Sequence, residues 1–183
     1  MSLHKLIGFL AFSILTACSI SEDIIGDINE DISGPGLGQP ISEADLAPWD
    51  ISIEPDGSGL PAGRGTVSRG EALYNAQCLA CHGQEGGGQP HDRLVGGHGT
   101  LDQLQQVRTI GSFWPYASTV YDYIRRAMPF NTPQTLNNDE VYSLTAYLLY
   151  LNGIIEEDDV MDAISLSEIR MPNEDGFIMA YPE

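Results

Sequence analysis

Apolar residues in the second half of the chain recur with the period of an α-helix. Val120, Tyr123, Ile124, Ala127 and Met128 fall at i, i+3, i+4, i+7 and i+8. This predicts an amphipathic helix that starts near Ser118 and stops where Pro129 forbids continuation. Arg125 and Arg126 occupy its last turn, where positive charge complements the helix dipole. A second stripe, Leu144, Tyr147, Leu148 and Leu151, follows Asn137 and Glu140, a capping pair, and ends at Asn152-Gly153, a C-cap signal. Upstream, Ser68-Arg69-Gly70-Glu71 reads as a capping box opening a helix that carries Leu73 and Tyr74 on one face and runs into Cys78. No convincing alternating strand appears, and the fold class expected is all-α.

The two ends follow different patterns. Leu6 to Ala17 is an apolar stretch after the single lysine, Lys5, too short to span a bilayer and suited to an export signal. It closes on Leu15-Thr16-Ala17-Cys18, which resembles the lipobox of bacterial lipoproteins and so implies lipid attachment at Cys18. Several acyl chains at about 0.8 kcal/mol per buried methylene would hold a protein stably on a membrane. Residues 18–40 then form an acidic, Gly/Pro-rich linker with no sustained period. The 22 residues from Ser19 to Pro40 would reach on the order of 25 Å as a coil and about 70 Å stretched. The expected organisation is a signal at 1–17, the lipidated linker at 18–40, a main domain at 41–153 and an acidic extension at 154–183. That extension, with Glu156-Glu157-Asp158-Asp159, reads either as a docking strap or as a solvated end. The location implied is a bacterial cell envelope, on the periplasmic face of a membrane.

Composition narrows the partners. The 183 residues carry 26 acids and 8 bases, a formal charge of -18. Nucleic acid is excluded as a partner, because binding it rests on basic side chains that neutralise phosphates. A basic protein face is the complementary choice. Three cysteines cannot all pair, and Cys18 accounts for the odd one.

The chemistry concentrates at Cys78-Leu79-Ala80-Cys81-His82, the CxxCH pattern of covalent c-type haem attachment. Two thiols three residues apart near one helical turn can each add to a vinyl group, and the adjacent histidine then lies against the iron. A disulfide, a thioredoxin-type pair and a zinc site using His91 or His98 are the competing readings. The carbonyl of Pro90 is a candidate to orient the outer nitrogen of His82. Arg108, Trp114 and Tyr116 are candidate donors to a haem propionate, against a plain core role for the two aromatics.

A haem-bearing first helix, a helix delivering a methionine and a C-terminal helix together resemble class I cytochrome c, here with extended, loop-rich segments at both ends. The resemblance implies one haem c with His82 and Met128 as iron ligands. His98, in Gly96-Gly97-His98-Gly99, is the rival for the second position, and Met161, Met171 and Met179 compete as methionines. A narrower resemblance rests on Trp114-Pro115-Tyr116-Ala117, the run Tyr123 to Pro129, Glu140-Val141-Tyr142, Met171-Pro172-Asn173 and Asp175-Gly176-Phe177. These segments look like the cytochrome c subunits of molybdenum sulfite and sulfane dehydrogenases. It implies electron transfer from a molybdopterin subunit to a downstream cytochrome or oxidase. A generic membrane-tethered shuttle and a haem enzyme, either oxidising thiosulfate or acting as a peroxidase, are the alternatives.

Overall fold

The computed structural model describes residues 38–178, 180 and 181. The signal, Cys18, most of the linker and Met179 lie outside the described residues. Residues 38–46 form a unit of their own, with one short helix, α1 (Glu43–Leu46). The main unit, from Ala47 onward, contains β1 (Arg64–Thr66), α2 (Val67–Gln77), α3 (Leu79–His82), α4 (Ala117–Ala127), α5 (Asn138–Leu151), β2 (Val160–Asp162) and α6 (Ala163–Ser167), with single 3-10 turns at Gln84–Gly86 and Glu174–Gly176. No helix among the described residues is long and apolar enough to cross a membrane.

Helices α2 and α5 cross at a point with no room for a side chain. A Cβ on Gly70 would lie 1.9 Å from the Ser143 carbonyl oxygen and 2.7 Å from Tyr147 Cβ. Gly65, just before α2, sits equally close, its Cβ position 2.1 Å from the Ser143 nitrogen. Helix α5 is therefore buried on nearly every side, from Val141 through Leu149. Its buried Ser and Thr hydroxyls are satisfied within the helix: Ser143 Oγ donates to the Asp139 carbonyl at 2.6 Å and Thr145 Oγ1 to Val141 at 2.8 Å. Helix α4 buries Ala117, Val120, Tyr121 and Ile124 in the same core.

The capping box expected at α5 forms in full, the Asn137 side chain accepting from the Glu140 N–H and the Glu140 carboxylate accepting from Asn137. The box expected at Ser68 does not. The cap of α2 is Thr66, whose hydroxyl accepts from the Arg69 N–H at 3.3 Å. The helix begins earlier because β1 hands the chain directly into it. That strand is a second departure from the all-helical pattern. β1 pairs antiparallel with β2, Gly65 opposite Met161, in three-residue strands too short to show an alternation.

The C-terminal extension divides as its composition does. Glu156, Glu157 and Asp158 are exposed, while Ile155, Met161, Leu166 and Met171 are buried in the core. The segment is thus anchored in the core and is not a purely solvated end.

Substituting Gly70→Ala forces α2 and α5 apart and is expected to cost about 3 kcal/mol, read as a lower urea midpoint at unchanged slope. The buried tyrosines add a pH dependence. Burial pushes Tyr74 and Tyr142 from 10.0 up to about 12, and pushes Tyr121 up as well. The folded-state values lie above the unfolded one, so this stabilisation is complete below pH 10 and is lost as pH rises from 10 towards 12. The urea midpoint should fall across that window, and less steeply in Tyr142→Phe. A midpoint that stays level there would exclude the effect.

Candidate functional site

Helix α2 ends at Gln77, and Cys78 caps it with its N–H donating to the Tyr74 carbonyl at 2.8 Å. The chain then turns once more through α3, which ends at His82. Cys78 is half-buried, Cys81 exposed, and both are free thiols. Burial pushes the Cys78 thiol from 9.0 up to about 11. A redox-active CxxC pair has the opposite character, a thiol whose pKa is lowered by its surroundings, and the direction of this shift does not favour the thioredoxin-type reading. The zinc reading loses its geometry: among the described residues, no three His, Cys, Asp or Glu side chains converge to hold a metal ion.

His82 is held by one ring nitrogen. Its Nδ1 lies 2.8 Å from the Asp92 carbonyl oxygen. The acceptor is thus Asp92 and not Pro90, because the loop folds back by two further residues. His91 N–H donates to the Cys81 carbonyl at 2.9 Å and Gln89 N–H to His91 at 2.8 Å, which sets Asp92 against the ring. An Nδ1–H donated to this carbonyl leaves Nε2 as the free lone pair, the state a ligating imidazole needs. The loop can return so tightly because of glycine. Gly83 has φ 75°, and a Cβ there would meet the Gly88 carbonyl oxygen at 2.6 Å, while Gly88 N–H donates to His82 at 2.8 Å. Beneath the turn, Tyr74 Oη donates to the Gly83 carbonyl at 2.8 Å.

Leu79, beside Cys78, and Leu94, Trp114, Met128 and Leu136 elsewhere in the chain each pack against the core while keeping part of their surface open. The donor set fits a haem c: two free thiols three apart, an imidazole with one nitrogen already engaged, and a half-buried thioether. Met128 is the C-cap of α4, in extended conformation at φ -120°, its N–H donating to Ile124 at 3.0 Å. The rival methionines Met161 and Met171 are 3% and 2% exposed and committed to the core.

The remaining candidates are dispersed. His98 is exposed and lines a cavity of about 560 Å³ with Asn152, Arg170 and Met171, sharing no wall with His82 or Met128. Arg108 is exposed, bonded to Gln106 and placed 5.0 Å over the Phe113 ring. Trp114 packs edge-on against Tyr123 at 5.6 Å. Tyr116 precedes α4 and bridges to Arg170. Asp92 and Tyr74 are contributions the sequence did not reveal. Asp92 acts through its backbone, which leaves no residue-type signal, whereas Tyr74, one turn before Cys78, was visible only as an apolar position.

A family profile described as cytochrome c oxidase, cbb3-type, subunit III matches residues 65–148. Thiosulfate dehydrogenase of Allochromatium vinosum is 26% identical over 118 residues, 63% of this chain, and the chain spans only 39% of that protein's length. Among solved structures, the sulfane dehydrogenase SoxCD from Paracoccus pantotrophus contains a chain 43% identical with a TM-score of 0.75, the match covering 82% of this chain and 73% of that one. With the motif, the helix order and these relatives in agreement, the chain belongs to the class I c-type cytochromes, and within them it resembles the cytochrome c subunit of molybdenum sulfite and sulfane dehydrogenases.

Proposed function

We propose that this protein is a monohaem electron carrier that accepts electrons from a molybdenum sulfite or sulfane dehydrogenase-type subunit and passes them to a downstream cytochrome or oxidase. The observation that carries it is the oriented His82 beside two free thiols, with one uncommitted methionine at the end of α4. Cys78 and Cys81 would hold the haem through thioethers, and His82 and Met128 would be its axial ligands. A haem c bound there supplies a one-electron couple, whose potential a thioether ligand raises. If His82 and Met128 both held the iron, no position would be left for a substrate, and the protein would pass electrons without binding a substrate of its own. Lipid on Cys18 would keep the domain at the membrane, on the periplasmic face.

The surroundings of the two ligand segments support a docking role. Residues 72–84 and 127–138 contain no Asp, Glu, Lys or Arg in a chain of charge -18, and Phe130, two residues past Met128, is 85% exposed. Uncharged side chains are cheap to desolvate in a contact, while acids elsewhere steer a basic partner. The similarity to a thiosulfate dehydrogenase favours a second reading, a haem enzyme whose iron has an open or labile position.

The ligand set separates the two. The ferric protein should show the methionine–iron charge-transfer band, and Met128→Ala should lose it and bind cyanide readily. A wild-type resting state that is high-spin and takes up cyanide or peroxide would instead establish the enzyme. The partner is tested by affinity purification from membranes. A molybdopterin protein should accompany the haem and reduce it with sulfite, at a rate that falls as salt rises. A haem protein isolated alone and unreduced by sulfite would leave the generic shuttle.

A further inference from the structure

Helix α4 carries two stripes, and the reading of Met128 as iron ligand accounts for only one. Val120, Tyr121 and Ile124 face the core. Ser118, Asp122, Arg125 and Arg126, at i, i+4, i+7 and i+8, form a polar stripe, and residues 51–55 lie along it. At the start of the helix, buried Ser118 donates through Oγ to the Pro55 carbonyl at 2.9 Å. At its end, Arg126 Nη2 donates to the Ile51 carbonyl at 2.9 Å and Arg125 Nη1 reaches the same oxygen at 3.5 Å. Between them Ile53 is 8% exposed, its side chain part of the core.

The dimensions match an extended strap running antiparallel to the helix. The eight residue steps of helix from Ser118 to Arg126 rise about 12 Å. The four steps from Ile51 to Pro55 span about 13 Å when extended. The arginine end is also braced from within the helix, as Asp122 receives Arg126 Nε at 2.8 and 2.9 Å. The last fully buried residue of α4 is Ile124, and in the turn beyond it, where Met128 is only partly packed on the core, the two guanidinium groups share one carbonyl. Helix ends with few buried contacts open at low cost.

We propose that the strap at residues 51–55 fixes the position of Met128, with Arg126 and Arg125 as positioning residues at the turn that presents it. This rests on the reading of Met128 as an axial ligand. The test uses the holoprotein and exogenous imidazole, which competes with the methionine for the iron. Arg126→Ala removes a charged hydrogen bond and should raise imidazole affinity about tenfold. The methionine–iron band should weaken in parallel, with little change in far-UV circular dichroism. Arg126→Lys, which keeps a charged donor, should restore most of the wild-type affinity, and Arg125→Gln should show a smaller rise. Should Arg126→Ala yield no haem protein, Arg125→Gln decides alone, and unchanged affinity in it overturns the proposal. A band and imidazole affinity unaltered in Arg126→Ala overturn the strap's role while leaving Met128 as the ligand. A wild-type protein without the band overturns the ligand reading, and the strap's role with it.

Discussion

The close crossing of α2 and α5 at Gly70 is the constraint on which the rest of the site depends. Cys78 lies eight residues beyond that crossing, about 12 Å along the same helical axis, so the angle at which α2 leaves α5 decides where the two thiols and His82 stand. A larger residue at position 70 would have to displace backbone, since the nearest atom is the Ser143 carbonyl oxygen. Rigidity continues past the crossing through Tyr74, whose ring packs on Tyr147 with centroids 5.4 Å apart and whose hydroxyl holds Gly83. One tyrosine therefore ties the helix crossing to the turn that follows the histidine.

The elements around the core have a division of labour. The loop after His82 sets the imidazole through hydrogen bonds that are almost all main-chain, including His91 to Cys81 and Gly88 to His82. The opposite side relies on side chains that grip main-chain carbonyls: Ser118 on Pro55, Arg126 on Ile51, and Tyr142 Oη on Pro61 at 2.8 Å. Asn138 and Asp139 extend the same seam to Ala62 and Arg64. Residues 51–64 consequently join the start of α5 to the whole length of α4. The histidine side is fixed by loop geometry, the methionine side by a stitched seam.

What could be read from the sequence follows the range of the interaction. The Asn137–Glu140 box is local, spanning one turn, and the structure reproduces it atom for atom. The CxxCH motif is local as well. Thr66 was missed as the cap of α2 because the choice between Thr66 and Ser68 depends on where β1 ends, and β1 exists only through its pairing with Val160–Asp162, nearly a hundred residues away. The sequence points to Pro90 and not to Asp92 as the acceptor of His82 for a related reason: a carbonyl has no signature in the side-chain alphabet. Arg125 and Arg126 were legible as helix-dipole partners, yet their contacts lie more than seventy residues upstream.

The acidic balance looks different once positions are known. Steering and contact place opposite demands on charge, because a long-range field needs carboxylates facing water while a contact that brings two cofactors close is weakened by charges it must desolvate. The chain separates the two demands by segment. Its runs at 72–84 and 127–138, which carry the thiols, the histidine and the methionine, are uncharged, and the carboxylates of Glu156, Glu157 and Asp158 stay exposed on the extension. The same extension sends Met161, Leu166 and Met171 into the core, so its acids are displayed from a fixed scaffold. A field held in place in this way can orient an approaching basic partner as well as attract it. Under the proposed carrier role, orientation would matter more than affinity, because the partner has to leave after each electron.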